Sequence, residues 1–68
     1  MMNRTYYIVE CNDGSPVSDE LDTLKGARNY IKEIKEEDRE LGLEDGDIDY
    51  YIIRHEIKDN IDYETIVR

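Results

Sequence analysis

Hydrophobic residues fall into four periodic runs separated by turn-forming clusters. Residues 5–11, Thr-Tyr-Tyr-Ile-Val-Glu-Cys, are dense in β-formers and stop at Asn12-Asp13-Gly14-Ser15-Pro16, a cluster of turn residues, which predicts a first strand. Thr23 is placed to cap a helix whose apolar positions, Leu24, Ala27, Ile31, Ile34 and Leu41, follow the three-and-four spacing of one face, with Tyr30 bordering it. Asp38 stands where that stripe calls for an apolar residue, and Gly42 suits the left-handed position that ends a helix. Residues 48–57 read as a second strand, Lys58-Asp59-Asn60 as a tight connection and residues 61–67 as a third strand. The expectation is one α+β domain over residues 1–68, ordered βαββ: a three-stranded, largely antiparallel sheet with a single helix on one face. A helix of about 18 residues spans roughly 27 Å, enough to cross such a sheet.

Alternation along the strands predicts which side chains face that helix. In strand three the inward set is Ile61, Tyr63, Thr65 and Val67, with Asp62, Glu64 and Ile66 opposite. Strand one divides into Tyr7, Val9 and Cys11 against Tyr6, Ile8 and Glu10. Strand two divides into Tyr51, Ile53, His55 and Ile57 against Ile48, Tyr50, Ile52, Arg54 and Glu56. Both faces carry large apolar groups, and one helix covers one face. Tyr6, Ile8, Tyr50 and Ile52 are therefore expected to lie open, either packing half-exposed against one another or forming the face of a homodimer or a foreign partner.

Charge narrows the choice of partner. The 68 residues carry a formal net charge of -9, from 18 acidic against 9 basic residues. This disfavours direct contact with nucleic acid or an anionic membrane and favours a protein with a basic surface, while a core this small makes a homodimer an expectation as well. Lys25, Arg28, Lys32, Lys35 and Arg39 form one basic stripe along the helix, either a solvated flank or a small anion-facing patch. The acids gather outside the helix. On an extended strand, carboxylates at i and i+2 stand about 6.8 Å apart, a spacing that can imitate backbone phosphates. Asp45, Asp47 and Asp49, and Asp62 with Glu64, fit that spacing and are the candidate acidic contacts. Solubility and the blunting of a sheet edge are the competing explanation.

The sequence offers little for catalysis. Cys11 and His55 are the only thiol and imidazole, and a nucleophile–base pair would need them to meet beside an orienting third group. Cys11 reads better as a small core residue and His55 as a strand residue at the sheet margin, so the chain is expected to be non-enzymatic. One Cys and one His also make a poor zinc set, and Leu41 and Leu43 interrupt the alternation a calcium loop requires. No metal site and no cofactor are expected, beyond weak cation binding at the acidic run of residues 44–49. With one cysteine no intrachain disulfide is available, and no apolar run approaches the ~20 residues of a membrane span. A cytoplasmic setting is the expectation.

Tyr6-Tyr7-Ile8-Val9-Glu10, the turn Asn12-Asp13-Gly14, the helix opening Asp22-Thr23-Leu24 and Asp49-Tyr50-Tyr51-Ile52-Ile53 resemble the layout of short acidic proteins encoded by bacteriophages and prophages. The resemblance implies a class and assigns no site. Such proteins are accessory factors of mobile elements, and several inhibit host defence or nucleic-acid-processing proteins by occupying basic clefts. The expected function is accordingly a phage-type inhibitory binding protein, with acids that imitate DNA and tyrosines that anchor. A homodimeric assembly domain and a small-molecule sequestering protein with its pocket at a dimer seam are the alternatives.

Overall fold

The computed structural model describes residues 3–43 and 48–67. They form β1 (Arg4–Cys11), α1 (Leu24–Glu40), β2 (Tyr50–Lys58) and β3 (Ile61–Val67). The strands make one antiparallel sheet in the order β1-β2-β3, and the helix lies in the β1–β2 connection. The α+β architecture read from the chain is thus the architecture observed.

Local chemistry sets the boundaries. Thr23 has extended dihedrals, and its hydroxyl accepts from the Gly26 N–H at 3.0 Å, satisfying one of the donors a helix start leaves open. At the other end Gly42 adopts φ 91°. Leu43 N–H then reaches the Asp38 carbonyl at 2.8 Å while Gly42 N–H reaches that of Arg39 at 3.1 Å, the paired bonds of a Schellman stop. Between β2 and β3 the two turn residues, Asp59 and Asn60, both have positive φ (51° and 65°), the signature of a type I′ turn whose twist matches that of the strands.

The segment after β1 turns back along that strand. Tyr7 and Leu21 exchange backbone hydrogen bonds at 2.8 Å, Val17 N–H donates to the Val9 carbonyl at 2.9 Å, and the Ser18 hydroxyl accepts from Val9 N–H at 2.9 Å. The outer edge of β1 is thereby occupied.

Pairing register fixes the faces, because residues directly opposite in an antiparallel pair share a side. Val9 lies opposite Ile52, and Ile52 opposite Val67. This row sits beneath Ala27, and Val9, Ala27 and Ile52 are the buried centre of the core. Around them pack Tyr7, Val17, Leu21, Leu24, Tyr30, Ile31 and Tyr50.

Two expectations are corrected here. Tyr50 and Ile52 face the helix rather than the open side, while Tyr51, Ile53, His55 and Ile57 take the open side. The alternation of β2 misled because its helix-side set changes character midway: Tyr50 and Ile52 are apolar, but Arg54 and Glu56 follow on the same face. There Arg54 Nε lies 3.1 Å from Glu56 Oε1, and Lys58 Nζ lies 3.4 Å from Glu56 Oε2. Second, the inward residues of β3 are on the helix side, as expected, but the helix packs on β1 and β2 and does not cover that strand. Ile61 and Tyr63 remain 53% and 52% exposed, and Leu41, counted in the helix stripe, is 81% exposed. The principal extents, 46 × 20 × 18 Å, and a radius of gyration of 13.3 Å, against about 11 Å for a compact chain of this length, describe an elongated molecule.

The face assignment makes a stability prediction. Ile52→Ala empties part of the core and costs about 2–4 kcal/mol in urea unfolding, whereas Ile53→Ala, on the open face, costs less than half as much. A larger loss at Ile53 would mean that β2 presents the opposite face to the helix.

Candidate functional site

The open face of the sheet carries rows that the register brings together across the strands. Arg4, Ile57 and Asp62 form one row, Tyr6, His55 and Glu64 the next, and Ile8, Ile53 and Ile66 the third. The middle row is the chemically distinctive one.

Tyr6 and His55 stack with ring centroids 4.7 Å apart and planes inclined by 3°. The Arg4 guanidinium carbon lies 4.9 Å from the Tyr6 centroid, and Arg4 is ion-paired with Glu20 of the segment that edges β1. The stack buries both rings although no helix covers them, and His55 is only 6% exposed. Burial, followed by the nearby negative charge of Asp62, pushes the Tyr6 phenol above its ordinary pKa.

His55 Nδ1 looks out of this stack at two carboxylates. It lies 3.2 Å from Asp62 Oδ2, 3.3 Å from Asp62 Oδ1 and 3.6 Å from Glu64 Oε1. One ligand atom from each of the three residues falls within 4.8 Å of the other two. On the far side of the ring, Nε2 is buried without a hydrogen-bond partner.

The residues read from the sequence are dispersed relative to this cluster. Asp62 and Glu64 are on the open face, as expected, but converge on His55 instead of standing as a phosphate-like row. Asp49 is exposed, and Asp45 and Asp47 lie outside the described residues. Tyr6 is on the open face yet buried by its stack, and Ile8, on the same face, is half-buried. Tyr50 and Ile52 belong to the core, as shown above. The open apolar surface expected at these four residues is therefore found instead at β3 and at Tyr51, which is 43% exposed.

Cys11 and His55 project to opposite faces of the sheet and do not meet. The Cys11 thiol donates to Asp13 Oδ1 at 2.8 Å; that bond and those from Ser15 hold the Asp13 carboxyl below its usual pKa. The helix cations Lys25, Arg28, Lys32, Lys35 and Arg39 are all exposed.

The His55 cluster is not visible in the spacing of Cys and His residues or in the acidic run of residues 44–49, because its three ligands come together only across the β2–β3 pairing. A signal was present. A two-residue turn at Asp59-Asn60 sets Lys58 against Ile61, which places His55 against Glu64 with Asp62 diagonal to it. The Tyr6 stack had no such signal, since the β1–β2 register is reached only through a long connection containing a helix.

No family model matches the chain, and no curated protein or solved structure matches it either.

Tyr50 has a structural job of its own. Its hydroxyl donates to Asp38 Oδ2 at 2.6 Å, explaining an acid within the helix's apolar stripe. That hydrogen bond, with burial and the Asp38 charge adding to it, pushes the phenol up to about 12. The folded state thus holds the Tyr50 proton more tightly than the unfolded chain, so the contribution is fully present below pH 10 and is lost as pH rises toward 12. Absorbance titration near 295 nm should show one late-ionising tyrosine that disappears in Tyr50→Phe. The stability difference between wild type and this variant should shrink across the same interval, and a difference independent of pH would refute the assignment.

Proposed function

We propose that this chain is a small acidic binding protein whose β3 edge docks a protein with a basic surface. The observation that carries the reading is the state of β3. It is the edge strand of the sheet, no described strand pairs with its outer side, the helix does not cover it, and Ile61, Tyr63 and Ile66 are each about half exposed. The opposite edge, at β1, is occupied by the chain's own residues 15–21. An edge with free backbone donors and acceptors, flanked by aromatic and aliphatic side chains, is what strand addition by a partner requires.

The charge of the surroundings favours a basic partner. Asp62 and Glu64 are exposed on this strand, Asp59 is exposed in the turn, and the chain as a whole carries -9. Pairing β3 with β3 of a second copy would set two such acidic strands side by side, a like-charge arrangement that costs stability. At the end of β3, Ile31, Tyr50, Tyr51, Ile52, Ile66 and Val67 line a largely apolar hollow of about 380 Å³, large enough to receive an anchoring side chain of the partner. In its finer form the proposal is a phage-type inhibitor that occupies the basic cleft of a host defence or nucleic-acid-processing protein, with Asp49 and the acids of residues 44–47 steering the approach. The resemblance in layout to short phage and prophage proteins supports this form.

Capture from a bacterial lysate with wild type and Tyr63→Lys/Ile66→Lys as parallel baits tests the reading. Both replaced side chains are exposed, so the variant should keep its fold. A basic protein retained at about 0.05 M salt should be weakened tenfold or more by the double substitution and by about 0.5 M salt. Equal retention by both baits would sink the β3 proposal. A dimer seen by light scattering that the double substitution splits would assign the edge to self-association instead.

A further inference from the structure

The geometry points to a divalent transition-metal site formed by His55 Nδ1 and the carboxylates of Asp62 and Glu64, zinc being the cation its ligand types best suit. Nothing in this inference depends on β3 docking a partner.

The carboxylates alone would be an ordinary exposed acidic pair. What sets them apart is His55, more than nine-tenths buried, held by the Tyr6 ring at 4.7 Å with Nδ1 aimed between them. Binding through Nδ1 would leave the ring proton on Nε2, which is buried without a hydrogen-bond partner, so the Tyr6 stack alone fixes the ring on that side. A single Nδ1 hydrogen cannot satisfy two carboxylates at 3.2 and 3.6 Å, and Arg4, the cation in the adjacent row, is engaged by Glu20. A cation accepting the Nδ1 lone pair and one oxygen from each acid would satisfy all three. Ligands about 2.1 Å from one ion stand roughly 3.0–3.4 Å apart; His55 Nδ1 lies 3.2 and 3.6 Å from the two acids, and the three ligand atoms lie within 4.8 Å of one another, so the exposed Glu64 carboxylate would swing inward to close the set.

Ligand type sets the metal class. One imidazole and two carboxylates favour borderline cations such as zinc over magnesium or calcium, which prefer all-oxygen shells. Two ligands lie two residues apart on one face of β3 and the third is on the neighbouring strand, so the hairpin turn largely preorganises the set. Three protein ligands leave at least one coordination position facing solvent on the open sheet face.

Calorimetric titration of the full chain with zinc chloride at neutral pH should give one saturable site, and magnesium chloride at the same concentrations none. Cobalt substitution should produce visible ligand-field absorption, and zinc should shift the His55 ring resonances in long-range nitrogen–proton spectra. Asp62→Asn and Glu64→Gln preserve side-chain size and should each weaken zinc by tenfold or more, while Cys11→Ser should leave it unchanged. His55→Ala also removes the stack on Tyr6, so the two carboxylate variants, checked for fold by circular dichroism, carry the test. Absence of saturable zinc binding by folded wild type would overturn the assignment, leaving only a histidine paired with acids. So would binding that survives both carboxylate substitutions or is lost with Cys11→Ser.

Discussion

The two-residue turn at Asp59 and Asn60 governs more of this molecule than any other local feature. Both residues take the left-handed conformation, and the resulting hairpin admits only one register. That register puts Val67 beside Ile52 to complete the core row and puts Glu64 and Asp62 beside His55 on the other face. A slip of one residue would send every side chain of β3 to the wrong side, breaking the core row and dispersing the cluster together. The core and the candidate site are thus two readouts of one backbone constraint.

Much of the fold could be read from residue order because local signals agreed with one another. Thr23 and Gly42 marked the helix ends by capping chemistry, and residues 61–67 were recovered with their exact limits as strand β3. The faces of β2 were not recovered, since Arg54 and Glu56 share a side with Tyr50 and Ile52 and make that side look polar. Alternation assumes that a face is uniformly covered along its length, and here cover ends partway along the strand. The turn is also one residue shorter than the Lys58-Asp59-Asn60 connection expected from the chain: Lys58 pairs with Ile61, which sets Ile52 opposite Val67 and so puts the two on one side, whereas a three-residue connection would have reversed the faces of β2. The site was legible only in fragments. Asp62 and Glu64 stand out by charge, but alternation assigns the histidine that gathers them to the other face, and the Tyr6 stack depends on a long-range register that no local pattern specifies.

The core is small because one helix reaches two strands. The open face compensates by pairing side chains with each other: Tyr6 with His55, Arg4 with both Tyr6 and Glu20, and isoleucines across all three strands. Stacking hides aromatic area without a second layer, so burial in this chain does not map simply onto the side facing the helix. The exposed apolar surface is displaced to the strand with the fewest neighbours. Asp38 shows the same economy within the helix, where an acid in the apolar stripe receives the hydroxyl of a core tyrosine.

The chain folded back along β1 leaves the sheet with a single extendable margin. A sheet with two free margins can accept units indefinitely and grow into a filament, whereas this one accepts a single addition and then presents no further strand in the same direction. Among the described residues, strand pairing between copies of this chain is consequently limited to two members. For an acidic polypeptide this short, with aliphatic and aromatic groups along its exposed rim, such built-in termination separates a defined complex from a growing aggregate.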